Sequence, residues 1–168
     1  MNNVSGGEIK FYYKTDSLFD RCKIMSAYKA NSIKTESGES MLDEYAMTDD
    51  EKDAFLVILE DVIFNAGMKF RKLHADVTEG VFFDTVIPQT DPDKANGFTI
   101  IDHDAYNENL LSHVDNHTRA YIVSHVLYEW YKLKNLADLA KLQEVDMLRA
   151  SGNLDKTIFQ FYKPLINT

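Results

Sequence analysis

The sequence predicts a mainly α protein: a helical bundle of four to five helices with a short β-hairpin or extended-loop excursion. Three observations lead there. Breakers are scarce, with three prolines and seven glycines in 168 residues, which favours long helices over a many-turned sheet protein. Apolar residues recur at three- and four-residue spacing over most of the chain. A single stretch, 76–104, abandons that spacing for short β-prone runs. The length suits one domain that buries its own core without disulfide or metal staples, so 1–168 reads as a single helical domain.

Residues 1–14 form an extended opening, in which Ile9, Phe11 and Tyr13 alternate with polar neighbours. Thr15 or Asp16 can cap a first helix, along which Leu18, Cys22, Met25 and Tyr28 make one apolar stripe. Residues 32–47 are polar, carry Gly38 and read as a linker. The clearest helix start follows. Thr48 with Glu51 three residues on is a capping box, and Asp49 and Asp50 place negative charge at the positive end of the helix dipole. Phe55, Leu59, Val62, Ala66 and Phe70 then share a face, predicting a helix from Asp49 to Leu73.

The excursion contains two β-prone runs, Val81–Ile87 and Phe98–Ile101, separated by Pro88 and Pro92. Asn96-Gly97 is a favoured turn pair for a hairpin. A lone hairpin is marginal, so this one must lean on the helices or on a neighbouring subunit. Helical pattern resumes at Asp104 or Asn107, and Asp115 or Asn116 can restart it. Tyr121, Ile122, Val123, Val126, Leu127, Trp130 and Tyr131 cover most of the circumference, which assigns this helix to the centre. A turn at Lys134-Asn135 makes the last helix its antiparallel neighbour. That helix carries Leu139, Leu142, Val145 and Leu148, can break at Gly152-Asn153, resumes with Leu154, Ile158 and Phe161, and ends by Pro164.

Net charge is −9, and the charge is segregated. Residues 34–61 hold ten acidic side chains against Lys34 and Lys52, whereas 132–163 hold six basic against four acidic. Such segments can serve as solvated helix faces, or can meet head-to-tail between identical subunits to give a ring or filament. The overall acidity disfavours tight or sequence-specific binding to nucleic acid. The lone Cys22 forms no intramolecular disulfide and suits reducing surroundings such as cytoplasm. No secretory signal is read at residues 1–10, and no window has the length of a membrane span.

Motifs that carry chemistry are thin. His113 and His117 stand four apart, as two imidazoles on one metal must, and His125 follows eight later. They lack the glutamate of a zinc hydrolase, and the Asp115-Asn116 boundary separates the pair, so cap, surface and core-edge roles compete with ligation. Asp91, Asp93 and Asp102 fail as a calcium loop, because Asn96 stands where the sharp turn needs glycine and Gly97 comes one place late. Asp102, His103 and Asp104 put two carboxylates beside an imidazole, but adjacent residues point to different faces. Cys22, in an apolar stripe, reads as buried. No phosphate loop, dinucleotide fingerprint or nucleophile elbow is present. The expectation is a non-enzyme with neither metal nor cofactor.

Aromatic residues are plentiful, with ten Phe, nine Tyr and one Trp. They can fill a core or anchor a subunit interface. The candidate interface set is Phe82, Phe83, Val86, Ile87 and Phe98 on the excursion, with Phe159 and Tyr162 near the end.

The stretch Tyr121–Lys134 (YIVSHVLYEWYKLK), its tight turn and the helix to Tyr162 resemble the C-terminal helical part of small head-to-tail connector proteins of tailed bacteriophages, also called neck or adaptor proteins. The resemblance covers about residues 105–164 and rests on pattern: an apolar helix ending in Tyr and Trp, then a charged amphipathic helix. It implies a virion structural protein, assembled in the host cytoplasm as a ring between portal and tail, with portal and other neck or tail proteins as partners. DNA would pass nearby without specific contact, and like charge would keep it from sticking. The 76–104 excursion would be an interface arm reaching the next ring. The first 47 residues exceed what a minimal connector needs. Two other readings stay open: a helical interaction or regulatory module with an apolar groove, and a metal-dependent helical enzyme using the three histidines.

Overall fold

The computed structural model describes residues 4–5, 8–33, 38, 41–75, 95–101 and 106–162. Its strands are β1 (Val4–Ser5), β2 (Glu8–Tyr13) and β3 (Asn96–Ile101). Its long helices are α1 (Thr15–Ser32), α3 (Lys52–Ala75), α4 (Leu111–Leu133) and α5 (Ala137–Tyr162), with a single-turn α2 (Leu42–Tyr45). The mainly α bundle is what the sequence predicts. Its strand component is placed differently.

The three strands form one antiparallel sheet in the order β1-β2-β3. Ile9 pairs with Ile100, Phe11 with Phe98 and Tyr13 with Asn96, so the inward alternation read from β2 is matched residue for residue by β3. Those side chains are buried, while Tyr12 and Thr99 bond across the outer face at 3.1 Å. Phe11, Phe98 and Phe70 of α3 close a triangle with ring centroids 5.1–5.3 Å apart, which welds sheet to helix layer. Such aromatic pairs add about 0.5–1.5 kcal/mol each beyond their buried area.

Asn96-Gly97 is therefore strand and not the tip of a hairpin. Glycine is required there for another reason: a Cβ on Gly97 would stand 1.9 Å from the Phe11 carbonyl oxygen. The turn chemistry of an Asn-Gly pair hid a close backbone approach. The first run of the expected hairpin, with Phe82, Phe83, Val86 and Ile87, lies outside the described residues. So do most of the 76–104 arm, the Asp91/Asp93/Asp102 set and the Asp102-His103-Asp104 triplet.

Helix starts follow physics that the sequence only partly disclosed. At α3 the capping box forms, Glu51 Oε2 accepting the Thr48 N–H at 2.9 Å, and a 3-10 turn over Asp49–Glu51 leads into the helix. At α1, by contrast, Lys14 is the cap residue, and Thr15 Oγ1 accepts Asn96 Nδ2 at 2.9 Å, pinning helix to sheet. The buried face of α1 runs Leu18, Cys22, Ser26, Ala30, which turns Tyr28 to solvent with 81% of its surface exposed. Ser26 is tolerated inside because its Oγ accepts the Met47 N–H at 2.9 Å. Met47 and α2 thus give the expected 32–47 linker an anchor and a helical turn.

The expected boundary at Asp115-Asn116 is absent. Asn107 starts the segment by accepting the Asn109 N–H at 3.1 Å, and after a 3-10 turn α4 runs unbroken from Leu111. Asp115 is spent on Arg119, 3.7 Å away one turn later, and not on capping. The α4–α5 turn is a Schellman motif: Asn135 sits at φ 57°, its N–H reaches Lys132 O at 3.0 Å and Leu136 N–H reaches Tyr131 O at 2.9 Å. Asparagine bears the left-handed conformation better than most residues. Asn107 N–H meets Phe161 O at 2.9 Å at the far end, so the two helices are antiparallel neighbours. Nor does α5 break at Gly152-Asn153.

Candidate interaction surface

The three histidines all lie on α4. His113 is exposed, His117 half-buried, and His125 two turns further on. At 1.5 Å per residue His113 and His125 are about 18 Å apart along the axis, too far to share an ion. Among the described residues no three His, Cys, Asp or Glu side chains come together as a metal site. His125 forms a wall of a 240 Å³ cleft between α3 and α4 with Val57, Ile58, Asp61, Val62, Asn65 and Glu129. Burial holds its pKa below the usual histidine value, against the pull of Glu129. Cys22 is buried, and burial pushes its thiol up to about 12. It is no nucleophile at neutral pH.

Of the aromatic interface candidates that are described, Phe98 fills the core of the monomer and offers nothing to a second subunit. Tyr162 also turns inward, stacked edge-on against Phe161 at 4.9 Å. Phe159 is the exception, with 51% of its surface exposed.

Phe159 belongs to a stripe that individual candidate residues did not reveal. Lys141, Leu142, Val145, Leu148, Arg149, Gly152, Lys156 and Phe159 are all exposed. At 100° per residue they fall within a sector of about 120° on the outer side of α5. From Lys141 to Phe159 that sector contains no acidic residue. Between Gln143 and Leu154 the helix packs on the core only through the partly buried Met147 and Ala150, and Val145 and Leu148 are left exposed. Isolated exposed hydrophobics need no explanation, but a contiguous band of them does. Its inner edge is held by Lys29 of α1, which reaches Asp146 at 2.7 Å and also donates to Gln143. A 340 Å³ groove opens beside it, lined by Lys29, Ser32, Leu139, Leu142, Val145 and Asp146.

A second outward band lies on α3. Asp53, Val57, Glu60, Asp61 and Phe64 are exposed and share a sector of about 100°. Its charge is wholly negative. The acidic segment is thereby divided: Asp49 and Glu51 are neutralised inside the subunit by Lys23 at 2.6 Å and Lys134 at 2.8 Å, while these three carboxylates point outward. The basic segment divides likewise. Lys132 is held by Glu129 at 2.9 Å, Lys134 by Glu51 and Arg149 by Asp146 at 3.5 Å, leaving Lys141 and Lys156 along the α5 stripe. A signal was present in the sequence, the i, i+3, i+7 recurrence of Leu142, Val145 and Arg149. It was masked because Leu139, Leu142, Val145 and Leu148 read as a single core face.

No protein-family model, curated protein or solved structure matches the chain. Among the described residues no helix is long and apolar enough to cross a membrane.

Proposed function

We propose that the protein is a non-enzymatic virion structural protein, a head-to-tail connector subunit that forms a ring between portal and tail. The observation that carries the assembly part is the middle of α5. A helix that turns Met147 toward the core but leaves Leu142, Val145, Leu148 and Phe159 exposed on its outer side supports cover by another protein. The connector part rests on the resemblance of residues 105–164, whose apolar helix, tight turn and charged helix form the α4–α5 pair. Its partners are further copies of itself, the portal and other neck or tail proteins, and its place is the virion.

Native mass spectrometry over a concentration series, with and without purified portal protein of the same phage, tests this. A closed oligomer, alone or on the portal, is expected. A protein that stays monomeric at every concentration and does not bind portal overturns it.

One observation favours a second reading, an interaction module that binds a single different partner. The α1–α5 groove has apolar walls in Leu139, Leu142 and Val145, with Tyr28 exposed one turn before Ser32. A stable one-to-one complex with a host protein, formed without phage particles, would establish that reading instead.

A further inference from the structure

We infer that copies of this chain join head-to-tail, the basic apolar stripe of α5 on one copy seating on the acidic apolar band of α3 on the next. The inference rests on the ring reading and specifies the contact within it.

Each face is incomplete in the same two ways. The α5 stripe offers Leu142, Val145, Leu148 and Phe159 without cover, with Lys141 and Lys156 beside them and Arg149 shared with Asp146 at 3.5 Å on its edge. The α3 band offers Val57, 70% exposed, and Phe64, with Asp53, Glu60 and Asp61 around them. Stripe against stripe would put like charges together, as would band against band, and like-charge juxtaposition costs several kcal/mol. Stripe against band satisfies both the apolar and the ionic requirement. One edge of the band, Val57 and Asp61, also lines the cleft between α3 and α4.

The two faces are different surfaces of one subunit, so the contact is heterologous. After one contact each copy keeps one face free, and the pair as a whole keeps one of each kind. Such contacts propagate, and close as a ring where the rotation between successive copies allows it. An isologous dimer, in which one face meets its own copy, would stop at two.

Two charge-reversed variants test the pairing. One carries Lys141→Glu and Arg149→Glu on the stripe, the other Glu60→Lys and Asp61→Lys on the band. All four positions are exposed, so unchanged circular dichroism and melting temperature establish that each variant folds. Each alone should lose self-association on the order of 100-fold, because both of its faces now carry the same sign. Mixed in equal amounts, they should reassemble to the wild-type subunit number with alternating composition, read by native mass spectrometry. Loss in the stripe variant only would mean an isologous α5 contact, and loss in neither would mean other faces. Either overturns the inference while the ring reading stands. A wild type that is monomeric alone but rings on the portal keeps that reading, and the inference then requires the same pattern of loss and rescue there. A wild type that assembles in neither setting overturns both.

Discussion

Helices α4 and α5 have similar lengths, 23 and 26 residues, and a tight turn joins them, yet they spend their apolar residues in opposite ways. From Tyr121 to Tyr131 α4 buries nearly everything it has, Trp130 and Tyr131 completely. It is the axle of the bundle, and the demands of one subunit account for its composition. α5 buries its two ends, through Leu139 and Ala140 and then Leu154, Ile158 and Phe161, while its middle packs inward only through the partly buried Met147 and Ala150 and leaves Val145 and Leu148 exposed. Apolar content in α4 is explained by folding. In α5 part of it is left over, and what folding does not explain is where a partner is to be sought.

The contrast breaks most sharply at Trp130. Trp130→Ala should destabilise the monomer by about 3–5 kcal/mol, seen as a fall in the urea midpoint, because a fully buried aromatic is lost and a cavity left. A loss under 1 kcal/mol would mean that α4 is not the axle. Next in size is Gly97→Ala, where the new methyl must displace the Phe11 backbone. About 1–3 kcal/mol should be lost, with sheet signals in amide hydrogen exchange losing protection ahead of the α4 core.

Gly152→Ala sharpens the comparison from the other side. A Cβ there meets nothing within 4 Å, so in an isolated subunit the glycine costs helix stability with no packing in return. The substitution should raise monomer stability by up to about 1 kcal/mol and at the same time weaken self-association, if the stripe approaches a partner closely at that point. A gain in both would exclude Gly152 from the contact. Leu148→Ser should move monomer stability by no more than about 0.5 kcal/mol, as an exposed position, and reduce assembly in the same native spectra. A Leu148→Ser monomer that unfolds readily would show that this side chain is core after all.

Much of this fold was legible in the chain, for identifiable reasons. The α3 face Phe55, Leu59, Val62, Ala66, Phe70 and the β2 alternation Ile9, Phe11, Tyr13 were clear because period and burial coincide there. The partner of β2 was not, since β3 lies more than eighty residues away and local turn chemistry at Asn96-Gly97 competes with a long-range pairing. Asp115 looked like a cap because its side chain can serve as one, and only the fold shows it committed to Arg119. The interaction surface was the least legible. Aromatic residues drew attention to Phe98 and Tyr162, which the core absorbs. The aliphatic residues of α5 looked like core, because an exposed stripe and a buried stripe have the same period. What separates them is which side of α5 faces the bundle, and that is set by Leu154, Ile158 and Phe161 together with the Lys29–Asp146 and Lys69–Asp155 bridges at 2.7 and 2.8 Å.

The smallest expected effect lies where α4 reaches the surface, at His125. Its pKa is depressed chiefly by burial, with Lys132 and Lys69 adding to the depression and Glu129 opposing it. A depressed folded-state pKa means the unfolded chain binds the proton more readily, so stability rises with pH across this titration. The contribution is complete above the unfolded value, about 6.5, and is lost as pH falls through the folded one. Urea unfolding at pH 7.5 and pH 5.0 should therefore show wild type losing ground to His125→Gln on acidification. Wild type gaining ground would mean that the Glu129 carboxylate, 3.8 Å from His125 Nε2, outweighs burial and that the imidazolium is the folded form. The two results assign the α3–α4 cleft opposite characters. A neutral imidazole belongs to the apolar interior that α4 builds everywhere else, whereas a charged one would place a cation beside Asp61 and blunt the acidic band. The sign of this small slope thus reports whether the cleft belongs with the buried axle or with the surface that awaits a partner.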